Sequence, residues 1–167
     1  MSVRPSRPAF VRKLSEQSLS NVALFYLRRY SASRKGLTRV LERKVKRHVR
    51  EKGGDAEIAK PMIEAVVARM VQAGYVDDVR LAEQKSASLH RQGKSSRVIQ
   101  LKLREKGIEP ELAAKSAAMT AEQELEAAQT LVRKKKLGVD PERRQKDFAV
   151  LMRAGFRFDV AKRALAR

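Results

Sequence analysis

The sequence predicts an all-α protein made of three tandem three-helix units, and three observations support this prediction. Residues 103–117 resemble residues 151–165 and 49–63, at offsets of 48 and 54 positions. A period of about 50 residues that recurs three times is the signature of a tandem repeat. Apolar residues follow the helical period through most of the chain. Runs of β-branched residues and the turns typical of β-hairpins are missing, so no strand is predicted.

The repeated segment has the pattern of a helix end, a glycine and the start of another helix. Gly53, Gly107 and Gly155 follow basic segments with helical periodicity, and a glycine at this place ends a helix without strain. Ile108 and Phe156 come next, where an apolar side chain can fold back over the last helical turn. Each copy therefore predicts a helix boundary.

The first unit is predicted to contain three helices. Ser18 is expected to cap a helix from Leu19 to about Tyr30. The predicted buried residues of this helix are Val22, Leu24, Phe25 and Leu27. A second helix is expected after Ser33, with an apolar stripe formed by Leu37, Val40, Leu41, Val45 and Val49. A third begins in the turn that contains Pro61, since proline is tolerated in the first turn of a helix.

The second unit follows the same plan. We expect Asp77 to cap a helix that reaches about Gln92, and Ser95 or Ser96 to cap the next one. Pro110 opens a short third helix.

The third unit begins at Thr120, where the sequence Thr-Ala-Glu-Gln fits the capping-box pattern. Asp140 and Pro141 then provide an N-cap and a proline at the first helical position. The helix that they open is predicted to bury Phe148, Leu151 and Met152. A last helix is expected over about 158–166. The predicted organisation is a mobile basic arm followed by the three units, at 1–17, 18–75, 76–119 and 120–167.

Charge is the most unusual feature of the composition. The 167 residues include 38 Lys and Arg against 19 Asp and Glu, a net charge of +19. Such an excess is typical of proteins that bind nucleic acid or another polyanion. The absence of cysteine excludes disulfides and thiolate chemistry. No apolar run is long enough for a membrane helix, and no signal peptide is recognisable, so we expect a soluble, cytoplasmic protein without membrane contact.

The positive charge coincides mainly with the first two helices of each unit, and especially with the middle one. We call the following fifteen residues the basic track and predict that they form the binding surface: Arg28, Arg29, Arg39, Arg43, Arg47, Arg50, Arg91, Lys94, Arg97, Lys102, Arg104, Lys106, Arg143, Lys146 and Arg153. Aromatic residues are few, which favours contact with phosphates over base stacking.

Residues suited to catalysis are scarce. His48 and His90 stand alone, without a second histidine or a cysteine at metal-ligand spacing. Asp77 and Asp78 fit a helix N-cap and a first-turn acid better than a catalytic pair. The glycines are spread along the chain and form no phosphate-binding loop. We therefore expect neither enzymatic activity nor a metal or cofactor.

Three motifs resemble the RecX family, bacterial regulators of the RecA recombinase. Residues 23–31 (ALFYLRRYS) are similar to the family's opening Leu-x-x-Arg-x-[Tyr/His]-Ser segment. Residues 74–82 (GYVDDVRLA) resemble its Gly-Tyr-Leu-Asp-Asp-x-Arg-Phe-Ala signature, with Leu81 in place of the usual phenylalanine. Residues 106–108 match its Lys-Gly-Ile junction.

This resemblance implies three three-helix repeats in an elongated, curved arrangement. It also implies a monomer that binds RecA and the RecA filament on single-stranded DNA. The activity implied is regulation, mainly inhibition, of ATP hydrolysis, strand exchange and co-protease function in DNA repair and the SOS response.

Two alternatives remain open at the level of sequence. The first is a general basic nucleic-acid-binding protein with units similar to a helix-turn-helix, in which Gln100 would read a base edge. The second is an adaptor that binds RecA without useful affinity for bare DNA. Direct binding to DNA is thus possible in two of the three hypotheses.

Overall fold

The computed structural model describes residues 14–166, where all regular structure is helical. Nine α-helices follow one another in this part of the chain: α1 Glu16–Leu27, α2 Arg34–Lys52, α3 Lys60–Gln72, α4 Asp78–Arg91, α5 Ser96–Glu105, α6 Pro110–Ala117, α7 Ala121–Lys135, α8 Arg144–Arg153 and α9 Phe158–Leu165. Short 3-10 turns, Glu57–Ala59 and Pro141–Arg143, lead directly into α3 and α8. The predicted all-α class is confirmed. None of these helices is long and apolar enough to cross a membrane.

Each successive group of three helices encloses its own apolar core. The core of α1–α3 contains Leu19, Leu37, Leu41, Val45, Ile63, Val66 and Met70. The core of α4–α6 contains Leu81, Ile99, Leu103, Ile108 and Ala113. The core of α7–α9 contains Leu131, Leu137, Leu151, Phe156 and Val160. We refer to the three groups as units 1, 2 and 3, and to α2, α5 and α8 as their middle helices.

The repeated segment ends two of the middle helices in the predicted way. The N–H of Ile108 donates to the Leu103 carbonyl at 3.1 Å, and that of Phe156 donates to the Leu151 carbonyl at 3.3 Å. Both apolar side chains are buried, so they fold back on the helix as expected. The first copy ends differently: the Gly53 N–H donates to the carbonyl four residues earlier, at 2.8 Å.

The start of α1 differs from the prediction. Ser15 caps the helix, and Ser18 occupies the third helical position and completes a reciprocal capping box with Ser15. Because this pair satisfies two free N–H groups, the helix begins three residues earlier than expected. The helix therefore includes Glu16 and Gln17, the last two residues of the predicted arm, 1–17. Residues 1–13 of that arm lie outside the described part of the chain.

Two residues that were predicted to be buried are exposed. Phe25 is 64% exposed and Met152 is 40% exposed. Both lie on helices of small units, in which three helices cover only part of each helix surface. Leu151 is fully buried as predicted, and Phe148 is half-buried. Of the two candidate caps of α5, the structure selects Ser95.

Candidate functional site

The middle helices of neighbouring units meet end to end through a serine. Ser33 caps α2, and its Oγ donates a hydrogen bond to the carbonyl of Lys106 at the end of α5, at 2.5 Å. Ser95 caps α5, and its Oγ donates to the carbonyl of Ala154 at the end of α8, at 2.7 Å. Both serines are buried. The C-terminal ends of α5 and α8 therefore contact the N-terminal ends of α2 and α5, respectively, and we call these two contacts the first and second unit junctions.

A carboxylate reinforces each unit junction. Asp78, at the start of α4, accepts a hydrogen bond from the backbone N–H of Arg34 at 2.9 Å. Glu124, in α7, accepts one from the N–H of Ser96 at 3.3 Å. Both N–H groups lie in the first turn of a middle helix, where no intrahelical partner exists and where negative charge is favourable.

The environment of these two carboxyl groups opposes their ionisation. Burial raises the pKa of Asp78, and the hydrogen bond from the Arg34 N–H offsets only part of this effect. Burial likewise raises the pKa of Glu124, with partial compensation by the Ser96 N–H and by His90. Each carboxyl group therefore gains a hydrogen bond at the cost of lost hydration.

Two glycines of the repeated segment permit this close approach. Gly107 and Gly155 have positive φ angles of 85° and 83°. A Cβ atom on Gly107 would lie 3.0 Å from Ser33 Oγ, and one on Gly155 would lie 2.8 Å from Ser95 Oγ. Glycine is thus required at these positions for two reasons. It adopts a backbone conformation that residues with a side chain disfavour, and it leaves room for the serine. At Gly53, by contrast, an added Cβ would have no atom of residues 14–166 within 4 Å.

The stacked middle helices carry most of the basic track on their outer surfaces. Fourteen of its fifteen residues are exposed, and Lys94 is half-buried. On α2, Arg39, Arg43 and Arg50 lie opposite the buried stripe of Leu37, Leu41 and Val45, as the helical period predicts. The ion pairs found among residues 14–166 join Lys60 to Glu57, Arg69 to Glu16 and Arg157 to Asp159. No track residue takes part in them, so its charge is available to a partner.

The structure brings some members of the track together across the unit junctions. Arg39 Nη1 donates to the Glu105 carbonyl at 3.3 Å, so it lies at the first junction. Arg97 and Arg104 of α5 line one groove with Arg153 of α8 at the second junction. The track is therefore partly a product of how the units stack.

Other members lie farther apart. Arg143 and Lys146 are at the beginning of α8, the end that points away from the second junction. Arg91 ends α4 and Lys94 follows it. Arg47 lines a separate groove between α1 and α2. These residues extend the basic surface without sharing the groove at the second junction.

Arg28 and Arg29 directly follow the aromatic part of α1. The guanidinium of Arg29 lies over the Phe25 ring, 5.4 Å from its centroid, a cation–π distance. Tyr26 and Tyr30 pack against each other with their ring centroids 5.1 Å apart. This cluster adds exposed aromatic surface next to two track residues.

The remaining polar candidates have structural positions. Asp77 caps α4 as predicted, accepting from the Arg80 N–H at 2.9 Å. His90 Nε2 lies 3.1 Å from the Gln123 carbonyl, so this histidine is at the contact between units 2 and 3. His48 lines the groove between α1 and α2. Within residues 14–166, no three His, Asp or Glu side chains are grouped as a metal site.

Sequence reasoning missed two apolar residues within the basic surface. Leu101 is 55% exposed, and it lines the second-junction groove together with Met152. The helical period could have predicted that Leu101 is exposed. It is two residues from both Ile99 and Leu103, which are buried, and therefore lies about 200° away from Ile99 around the helix. For Met152 the sequence contained no such signal, because it adjoins the buried stripe.

Comparison with known proteins gives consistent similarities. The model of the family described as RecX, second three-helix domain, matches residues 77–116. Regulatory protein RecX of Myxococcus xanthus (strain DK1622) is 41% identical over 170 residues, which cover 96% of this chain and 89% of that protein. Regulatory protein RecX of Agrobacterium fabrum (strain C58 / ATCC 33970) is 32% identical over 152 residues, covering 87% and 80%.

Two solved structures share the fold. The crystal structure of RecX from Lactobacillus salivarius superposes with a TM-score of 0.72 at 22% identity, covering 90% of this chain and 94% of that one. A crystal structure of regulatory protein RecX superposes with a TM-score of 0.68 at 21% identity, covering 91% and 73%.

Proposed function

Because this chain belongs to the RecX family of regulatory proteins, we propose that it binds RecA and the RecA filament on single-stranded DNA. Binding would modulate, and mainly inhibit, the ATPase, strand-exchange and co-protease activities of RecA in DNA repair and the SOS response. The observation that carries the proposal is the surface of three end-to-end middle helices, whose basic side chains form no ion pairs within residues 14–166.

The geometry suits a long partner with repeating structure. Each unit contacts its neighbour through one kind of junction, so similar basic surfaces recur along the molecule. A filament offers similar environments at regular intervals. Several weak contacts on one chain then add up, because the second and third form within the complex created by the first. We propose the basic track as this binding surface and the three units as its modules.

The junctions limit how the helix-turn-helix alternative could use α2 and α5. A recognition helix reads base edges with residues near its N-terminus. The N-terminal turns of α2 and α5 contact the next unit through Ser33 and Ser95. The first-turn N–H groups of Arg34 and Ser96 are likewise occupied by Asp78 and Glu124. The backbone N–H groups of these two turns are therefore paired within the protein, while the side chains of Arg34, Lys35 and Arg97 remain exposed.

Titration of the purified protein into a RecA ATPase assay on single-stranded DNA tests the proposal. We expect inhibition at stoichiometric or lower amounts, and an absence of inhibition at those amounts would contradict it. Comparing the affinity for bare single-stranded DNA with that for the RecA filament, at the same salt concentration, then separates a filament regulator from a general DNA-binding protein. An adaptor would bind the filament while having no useful affinity for bare DNA.

A further inference from the structure

The groove at the second unit junction differs in chemistry from the rest of the basic track. It lies between α5 and α8, has a volume of about 460 Å³ and is lined by Arg97, Val98, Gln100, Leu101, Arg104, Met152, Arg153 and Gly155. Within the described part of the chain, no carboxylate lines it. It exists only because units 2 and 3 stack, since its walls come from both.

The three cations that residues 14–166 contribute to this groove are all arginines. A guanidinium presents a planar set of donors that pairs with carboxylates in a bidentate manner, and it is more weakly hydrated than an ammonium group. Arginine is accordingly enriched in protein–protein interfaces, whereas lysine is depleted. None of Arg97, Arg104 and Arg153 takes part in an ion pair within residues 14–166. The groove therefore offers three guanidinium groups to the carboxylates of a partner.

Two exposed apolar side chains lie among these arginines. Leu101 is 55% exposed and Met152 is 40% exposed, and both line the groove. Contact with phosphates gains nothing from exposed aliphatic surface, and the lining contributed by residues 14–166 includes no aromatic ring on which a base could stack. Methionine and arginine are enriched in protein–protein interfaces, and the exposed surface of Leu101 and Met152 offers an apolar side chain of another protein a place to pack.

The first unit junction shows that stacking does not require this apolar pair. The two serine caps align Arg39 with Leu101, because each residue is six positions after its serine. The two junction glycines align Arg104 with Met152, because each residue is three positions before its glycine. Arginines thus occupy both places at the first junction, where the same serine contact forms. Leu101 and Met152 are consequently free to serve binding.

We propose that the second-junction groove is a docking site for an acidic protein segment with an apolar anchor. The anchor packs against Leu101 and Met152, and flanking carboxylates pair with Arg97, Arg104 and Arg153. This inference rests on the proposed function, in which the segment belongs to a RecA subunit of the filament. The groove then recognises protein, while the arginines on the exposed surface of α2 are left to interact with phosphate.

The test uses the full chain with Leu101→Ser and Met152→Ser combined. A matched control combines Ile58→Ser and Val139→Ser, which are exposed aliphatic residues outside the groove. Helicity and thermal unfolding establish that each variant is folded. Affinity is measured for the RecA filament on single-stranded DNA and for the same bare DNA at low salt. We expect the groove variant to bind the filament about tenfold or more weakly, with unchanged affinity for bare DNA and an unaffected control.

Each result has a distinct meaning. If the wild-type chain neither binds nor inhibits the filament, the proposed function itself is wrong. If the wild-type chain binds the filament and the groove variant binds equally well, the docking inference is wrong and the proposed function stands. A parallel loss of affinity for filament and for bare DNA would make the groove a nucleic-acid site and would also overturn the inference.

Discussion

Ser33 and Lys106 are 73 residues apart in the chain, yet a hydrogen bond of 2.5 Å joins the Ser33 hydroxyl to the Lys106 carbonyl. The same Oγ accepts from the Gly36 N–H at 2.9 Å. One buried hydroxyl thus satisfies a free N–H at the start of α2 and a free carbonyl at the end of α5. Ser95 repeats this arrangement with the Val98 N–H and the Ala154 carbonyl.

Replacing either junction serine should destabilise the protein. Ser33→Ala removes the cap of α2 and leaves the Lys106 carbonyl at the end of α5 without its partner in a part-buried place. We expect a loss of about 1–3 kcal/mol in the free energy of unfolding, measured by urea denaturation. Ser31→Ala, at an exposed position, is the control. A loss no larger than that of the control would mean that the hydroxyl contributes nothing to the junction.

Gly155→Ala should be more destabilising than a glycine-to-alanine substitution that causes similar backbone strain but no steric clash. Gly74 has a φ of 73°, close to the 83° of Gly155, but a Cβ on Gly74 would have no atom within 4 Å. Gly74→Ala therefore measures the conformational cost, about 1 kcal/mol. Gly155→Ala adds the clash with Ser95 Oγ at 2.8 Å, and we expect a further loss of about 1–3 kcal/mol. If urea denaturation shows equal losses of unfolding free energy for the two variants, the junction accommodates the added Cβ without an energetic penalty.

Charge reversal on the track should weaken filament binding steeply. The test variant changes Arg39, Arg43, Lys102 and Lys106 to Glu. The control variant makes the same change in net charge at exposed positions outside the track: Lys85, Lys115, Lys135 and Lys162. We expect the test variant to bind the filament only weakly at low salt. If the track binds phosphates, the slope of log affinity against log salt should also decrease, by about 0.7 for each phosphate that is no longer neutralised. If the two variants bind the filament with equal affinity, these four track residues have no specific role in binding.

The junction carboxylates should give a small stability gain on mild acidification. Burial raises the pKa of Asp78 and Glu124 in the folded protein, so the folded state binds protons at a pH where the unfolded state has released them. Their contribution to stability therefore decreases as the pH rises from the unfolded to the raised pKa. Asp78→Asn retains an oxygen that accepts from the Arg34 N–H and lacks the ionisation. We expect this variant to gain stability relative to wild type as the pH rises from about 4 to 7, measured by urea denaturation at each pH. The opposite trend would mean that the ionised form is the stabilising one.

Local physics explains why most of the secondary structure could be predicted. A cap such as Thr120 or Asp77 acts within three residues of itself, and the Leu37, Leu41 and Val45 stripe follows from the geometry of one helix. The error at α1 was also local, because Ser15 and Ser18 are equivalent caps by residue type. Only the reciprocal hydrogen bonds between them decide which one starts the helix.

The sequence by itself determined the all-α class, the repeated glycine-ended helices and the excess of positive charge, because each depends on composition or on neighbours within about one helical turn. Tertiary structure alone decided that Asp78 caps α2 from 44 residues away, that Ser33 joins two units, and that Leu101 and Met152 share a groove with three arginines. Such relationships arise from the packing of one unit on the next. No period within a single helix encodes which carbonyl, amide or side chain the neighbouring unit will present.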